Sequence, residues 1–300
     1  MIDLLQYEFM RRALIAAVLV GLVTPVIGTY LVQRRLALLG DGIGHVALTG
    51  VALGLLTGTS PLLTAALVSM VGALLIEVVR VRTRTSGDVA LALLFYGGIA
   101  GGVLLIGLTP GASNATLTGF LFGSVSTVSE EDLWVVALLA LGVVTVVGVF
   151  GRELFVLCQD EEVARAHGLP VRFLSVLLAV TAALTVVIAM RVVGLLMVSA
   201  LMIVPVVAAQ QLTRSFRVTM SLAVVIGLLS SLGGLSTAFH ADLAPGATIV
   251  LLALAAFAVS VGVGAVLRRI SGRRSANART PNVTAQTGTM PENDPGRVSR

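Results

Sequence analysis

Asp41 and His45 are the two side chains whose types and spacing best support chemistry. They are a carboxylate and an imidazole four residues apart, in the run Arg34-Arg35-Leu36-Ala37-Leu38-Leu39-Gly40-Asp41-Gly42-Ile43-Gly44-His45. No other titratable side chain occurs between Arg35 and Glu77. On a helix, residues i and i+4 share a face with their Cβ atoms about 6 Å apart, so an oxygen and a nitrogen can reach one small cation together. An ionisable side chain inside an apolar segment is expensive to place and by default marks a functional site. The alternative is a packing pair, with Asp41 capping a helix that begins at Gly42 and His45 bonded to a neighbouring carbonyl. As metal ligands, a mixed nitrogen and oxygen pair suits borderline ions such as Zn²⁺ better than Ca²⁺ or Mg²⁺, and leaves Mn²⁺ and Fe²⁺ open. Two residues do not complete a coordination shell, so water, carbonyls or a second protomer must supply the rest.

The elements that position this pair follow from composition. The chain has 300 residues, of which 57% are hydrophobic and 12% charged, and a mean hydropathy of +1.02. A soluble domain carries about twice that charged fraction. The expected class is therefore an all-α integral membrane protein. Its long uncharged runs suit helical spans, and they lack the alternating pattern of an outer-membrane barrel. Stretches free of charge, apart from Glu77, mark nine candidate spans: 13–33, 42–56, 62–79, 89–108, 133–150, 173–190, 192–211, 218–235 and 247–267. The second is short and glycine-rich and reads as partly re-entrant or fused to a neighbour, so the bundle has eight or nine transmembrane helices. Residues 115–128, rich in Thr and Ser after Pro110-Gly111, read as an interfacial or re-entrant piece. Gly50, Gly54 and Gly58 follow the small-xxx-small spacing of close helix packing and read as continuing the His45 face.

Arginine placement gives the orientation. Arg34/Arg35, Arg80/Arg82/Arg84, Arg152/Arg165/Arg172, Arg214/Arg217 and Arg268/Arg269/Arg273/Arg274 fall at alternate ends of the nine runs, so all can be cytoplasmic at once. Arg11, Arg12 and Arg191 are the exceptions. No cleavage site follows the first apolar run, so the first helix is expected to stay. Cys158 is the only cysteine, which rules out an intrachain disulfide and a cysteine-based metal cluster. The reading divides the chain into a transmembrane domain, 1–267, and a basic, disordered cytoplasmic tail, 268–300. That tail carries seven arginines against Glu292 and Asp294, a balance of +5 that matches the net charge of the whole chain. Its arginines have no interleaved aromatics, so anionic lipid is the expected partner and nucleic acid is not.

Asp160 to Pro170 reads as a short cytoplasmic helix. Its acidic start complements the helix dipole, Gly168 can end it, and Pro170 follows. Such a helix, held between two spans, fits a groove on a cytoplasmic partner. His167 reads as a surface histidine. His240 and Asp242 form a candidate outer capture point or a loop contact for another protein. No G-x-x-x-x-G-K-[ST], H-E-x-x-H or G-x-S-x-G motif occurs, so no enzymatic activity is expected of this chain.

Three segments together resemble the permease subunits of the zinc/manganese ABC importer family. They are Gly28 to Asp41 continuing through His45 and Gly50-Val51-Ala52-Leu53-Gly54; Asp160 to Gly168; and Val193 to Pro205 with the later Pro245-Gly246-Ala247. The resemblance implies a type II ABC importer-like permease in the bacterial cytoplasmic membrane, multi-pass and working as a homodimer or a pair of permease chains. Its implied partners are cytoplasmic ATPase subunits and an extracytoplasmic metal-binding protein. It implies that Asp41 and His45 coordinate the ion in transit, Zn²⁺ first and Mn²⁺ second, with no cofactor bound by the chain. It also implies that Asp160, Glu161, Ala164 and Gly168 belong to the segment contacting the ATPase. Gly44 departs from the family, which often has Ser there. The rival readings are a proton-coupled secondary metal transporter, in which Asp41 and His45 relay protons, and an ABC permease for a siderophore or vitamin.

Overall fold

The computed structural model describes residues 7–82, 87–109, 114–123 and 129–277. Among these the regular structure is helical: α1 (Glu8–Gln33), α2 (Leu39–Thr57), α3 (Pro61–Arg82), α4 (Gly87–Gly107), α5 (Asn114–Phe122), α6 (Glu130–Gln159), α7 (Glu161–Ala166), α8 (Val171–Met190), α9 (Leu195–Leu212), α10 (Phe216–Ala241) and α11 (Pro245–Asn277). Eight of these are long and apolar enough to cross a membrane, and a shorter apolar helix, Leu91–Gly107, lies within α4. Each charge-free run of the sequence falls on one of these helices. The second run is not re-entrant: α2 is one continuous helix of 19 residues. The Thr/Ser-rich piece contains the nine-residue α5, and residues 124–128 of it lie outside the described residues, as does Arg84.

Contacts sort the helix ends into two sets. At one end Arg34 bonds Ser175 and Glu161, and Gln33 bonds Gln159, which gathers the α1–α2 corner, the end of α6, α7 and the start of α8. At the other end Arg12 at the start of α1 lies 3.9 Å from Glu130 at the start of α6, and Arg191 after α8 pairs with Asp132. The Asp132–Arg191 pair accounts for one arginine that orientation counting left over. Asp132 shares a capping box with Ser129 at the start of α6, and the Arg191 guanidinium lies 4.8 Å from the centre of the Phe120 ring. The charge is matched in place. Beside it, Gly194 and Gly123, both at positive φ, lie backbone to backbone, and a Cβ on Gly194 would come within 2.3 Å of the Gly123 nitrogen. Gly246 at the start of α11 packs there too, where a Cβ would lie 1.9 Å from the Val193 carbonyl oxygen.

Spans α1, α2 and α8 are the most buried, whereas α6 and α11 expose most of their apolar length. Trp134, Leu138 and Leu141 on α6 are among the exposed side chains. In a bilayer this is a lipid-facing surface, and the helices associate through close packing at small residues. The main cluster of buried side chains runs through Val20, Ile27, Ile43, Leu174 and Ile188. Two compact units are distinguished, Met1–Val261 and Gly262–Arg300. In the second, α11 runs through Arg268 to Asn277, so the basic start of the expected disordered tail is helical. Residues 278–300 lie outside the described residues.

The α1–α9 contact sets one clear test. A Cβ on Gly28 would lie 1.8 Å from the Met202 carbonyl oxygen, whereas one on Gly97 would meet nothing within 4 Å. Gly28→Ala is expected to destabilise the purified chain by about 1–3 kcal/mol, the usual range for overpacking. Gly97→Ala should melt close to wild type in the same thermal unfolding measurement.

Candidate functional site

The α1–α2 corner decides where α2 starts. After α1, Arg35 takes a left-handed conformation, φ 60°, and the Leu36 N–H donates back to the Leu31 carbonyl at 2.8 Å. This closes α1 within two residues and lets α2 restart at Leu39. Leu38 takes the N-cap position without a side-chain bond. Asp41 therefore lies inside the first turn, where the helix dipole favours a carboxylate, and it is not the cap that the packing-pair alternative expects.

His45 follows one turn later and is buried, 9% exposed. Its ring lies 4.3 Å from that of Phe95, edge to face at 71°. Its Nδ1 is sealed from solvent and has no hydrogen-bond partner among the described residues. Helix α4 approaches here because Gly98 has no side chain: a Cβ would come within 2.7 Å of the His45 carbonyl carbon. The Thr49 hydroxyl donates to the Gly98 carbonyl at 2.8 Å, which fixes α4 along α2 and brings Phe95 against the imidazole. Asp41 lines a cavity of about 210 Å³ with Leu38, Gly42, Leu91, Phe95 and Tyr96. Leu38 and Tyr96 are largely exposed at its mouth.

The other faces of α2 are occupied differently. Gly40 looks onto Ser199 and Met202 of α9, and Gly44 onto Leu195, 3.7 Å from where its Cβ would be. A serine at position 44 would therefore point at α9. Gly50 and Gly54 pack on Ala65, Thr64 and Pro61 of α3, so these glycines do not continue the face of His45 as the sequence suggested. Among the described residues no group of three or more His, Cys, Asp or Glu gathers. Asp41 and His45 stand as a pair.

The predicted short helix is present as α7. Asp160 caps it, accepting from the Glu162 and Val163 N–H groups at 2.8 and 3.2 Å. Gly168 ends it at φ 75°, with the Leu169 N–H donating to the Ala164 carbonyl at 3.1 Å. Ala164 is fully buried and His167 is exposed. Glu161 turns back to the bundle: its Oε2 accepts from Arg34 at 3.1 Å and its Oε1 from Arg165 at 3.2 Å. Arg34 also donates to the Ser175 hydroxyl at 3.1 Å, and its side chain is 7% exposed. Residues Arg34 to Leu39 border a second cavity of about 120 Å³ with Ile76, Glu77, Leu91 and Ser175. Leu38 and Leu91 line both cavities. Sequence reading used Arg34 only as an orientation marker and missed this link. Its one signal was the arginine pair that opens the run leading to Asp41.

His240 and Asp242 lie apart from Asp41 and His45, at the far end of α10. Both are exposed. His240 Nδ1 is 2.8 Å from the Ser236 carbonyl oxygen, and Asp242, at φ 52°, ends α10 as its C-cap.

A sequence model described as the ABC 3 transport family matches residues 6–264. The manganese transport system membrane protein MntC of Listeria innocua is 36% identical over 181 residues, 60% of this chain and 64% of the relative. The manganese import system permease protein ScaB of Streptococcus parasanguinis is 30% identical over 179 residues, 60% of this chain and 63% of the relative. These matches thus span less than two thirds of the relatives' own length. Among solved structures, PsaBC from Streptococcus pneumoniae in complex with Fab aligns with a TM-score of 0.78 and 30% identity, covering 86% of this chain and 93% of that one.

Shielding of His45 by Phe95 is directly testable, because the chain has three histidines and the other two are exposed. Phe95→Ala is expected to raise the rate of diethylpyrocarbonate modification at His45 severalfold, read by peptide mass spectrometry. His167 and His240 should react at unchanged rates; an unchanged rate at His45 would mean that the ring does not screen it.

Proposed function

The chain belongs to the ABC 3 transport family, and on that premise we propose that it is the membrane-spanning permease subunit of an ATP-driven importer of divalent transition metal ions. Asp41 and His45 ligate the ion in transit. The observation that carries this reading is the buried, unpartnered Nδ1 of His45, one turn from a carboxylate that opens onto a cavity. An imidazole nitrogen kept from water without a partner is costly unless some state of the protein supplies one. Mn²⁺ is put first as cargo, because similar permeases carry manganese in their names and the Asp41 carboxylate is a ligand type it accepts. Zn²⁺, first in the sequence reading, has no such specific support and becomes the second arm of the test. The remaining ligands are water or groups of a second copy seated at the mouth between Leu38 and Tyr96.

The proposed setting is a bacterial cytoplasmic membrane. A pair of ATPase subunits docks on α7, whose Val163 is exposed while Ala164 anchors it. An external metal-binding protein delivers the ion at the opposite end, where His240 and Asp242 are exposed. Arg34 acts as a positioning residue between the two functions. Movement of α7 is passed through Glu161 and Arg34 to the α1–α2 corner, and so to the first turn of α2 that carries Asp41. Family membership favours this arrangement over a proton-coupled transporter standing alone.

In proteoliposomes containing this chain with its ATPase and binding protein, ATP-dependent uptake of radioactive manganese is expected to fall to background in Asp41→Ala and in His45→Ala, with assembly intact. Zinc uptake is measured alongside; manganese uptake persisting in both variants would move the site elsewhere. Arg34→Ala is expected to lower the manganese moved per ATP hydrolysed while leaving equilibrium metal binding unchanged. The exchange of Arg34→Glu with Glu161→Arg should recover part of that ratio, and a wild-type ratio in Arg34→Ala would remove Arg34 from the coupling.

A further inference from the structure

We propose that the crevice between α1, α6 and α10, at the end of the bundle that carries α7, binds an anionic phospholipid. It is a cavity of about 560 Å³, and its lining includes Tyr30, Arg152, Phe155, Phe216, Arg217 and Met220. The apolar wall is built and held: Phe216 lies 5.3 Å from the Tyr30 ring and 4.7 Å from Phe155, and the Tyr30 hydroxyl donates to the Gly151 carbonyl at 3.3 Å. Two guanidinium groups from different helices border this wall. Both are exposed, neither enters an ion pair among the described residues, and Glu153, the neighbour of Arg152, does not line the cavity.

The location selects the ligand. From Asp132 to Arg152 is 20 residues of one helix, about 30 Å of rise, which is one hydrocarbon thickness. With Asp132 at one membrane boundary, Arg152 lies at the other, where a phosphate headgroup sits. Two unpaired cations beside an aromatic and aliphatic crevice complement a headgroup phosphate above and an acyl chain below, and basic pockets between spans are suited to such lipids. A zwitterionic lipid brings a cation of its own and gains less from both arginines.

The experiment uses the full chain purified in detergent and exposed to equimolar dioleoyl phosphatidylglycerol and dioleoyl phosphatidylcholine, with retained lipid counted by native mass spectrometry. Wild type is expected to retain phosphatidylglycerol preferentially. The double variant Arg152→Gln with Arg217→Gln should lose roughly thirtyfold of that preference, the combined contribution of two arginines near a membrane surface. Arg214→Gln, outside the cavity, should keep it. Gly148→Leu provides the second variant: Gly148 lines the crevice and a Cβ there would meet nothing within 4 Å, so the leucine fills the acyl path without a clash. Loss of retention in Gly148→Leu with both arginines present supports a lipid. Retention unaffected by Gly148→Leu, or inorganic phosphate stabilising wild type as much as phosphatidylglycerol does, would reduce the site to a free-anion contact and overturn the proposal. Equal retention of the two lipids by wild type, or an unchanged preference in the arginine double variant, would overturn it as well.

Discussion

Helices in a bilayer gain little from hiding apolar surface from one another, because the lipid is as apolar as they are. What holds this bundle is backbone meeting backbone at positions without a side chain. Gly28 lies on the Met202 carbonyl, Gly98 on that of His45, and Gly194 on Gly123. Each contact fixes the distance between two helices and, with it, what the neighbouring side chains can reach. Phe95 meets the imidazole of His45 because Gly98, three residues on, lets α4 come so close. The geometry of the candidate site is therefore inherited from a packing contact that carries no chemistry of its own.

Charge is treated with the same economy. Two enclosed arginines among the described residues do not stand alone: Arg34 is held by Glu161 and Ser175, and Arg191 by Asp132 and the face of Phe120. Removing one partner of such a pair strands the other charge in a poor solvent, which is why buried pairs break at high cost even when forming them gains little. The two pairs lie at opposite ends of the bundle. His45 is the contrasting case, a buried polar group whose Nδ1 is left without a bond among the described residues.

Much of the fold was legible in the sequence because the bilayer forces spans to be long and free of charge, and all nine runs coincide with helices. The α7 helix was legible too, since Asp160, Gly168 and Pro170 are local signals with local consequences. Position 44 and the glycines after His45 were not. Which face of α2 meets α3, α4 or α9 depends on how far the corner at Arg35 turns the chain, and a left-handed arginine leaves no mark in composition. Arg34 was misjudged for a related reason: a basic pair after an apolar run has a sufficient explanation as a stop signal, and its link to Glu161 spans 127 positions of sequence. Asp41 and His45 were visible because ionisable groups are so rare in this stretch. Their separate environments, an open cavity wall and a sealed ring, follow only from the packing of α4.

The two ends of the bundle are fastened in different ways. At the Asp132 end the α8–α9 turn, the end of α5 and the start of α11 are joined through glycine backbones as well as an ion pair. At the α7 end the joins run through the flexible side chains of Gln33, Gln159, Arg34 and Glu161. A rivet of main chain yields little before it breaks, whereas a lacing of long side chains lets its anchors shift and rebond. Under load, the laced end is therefore the one that can give and re-form its bonds, and the glycine junction is the one that keeps its spacing.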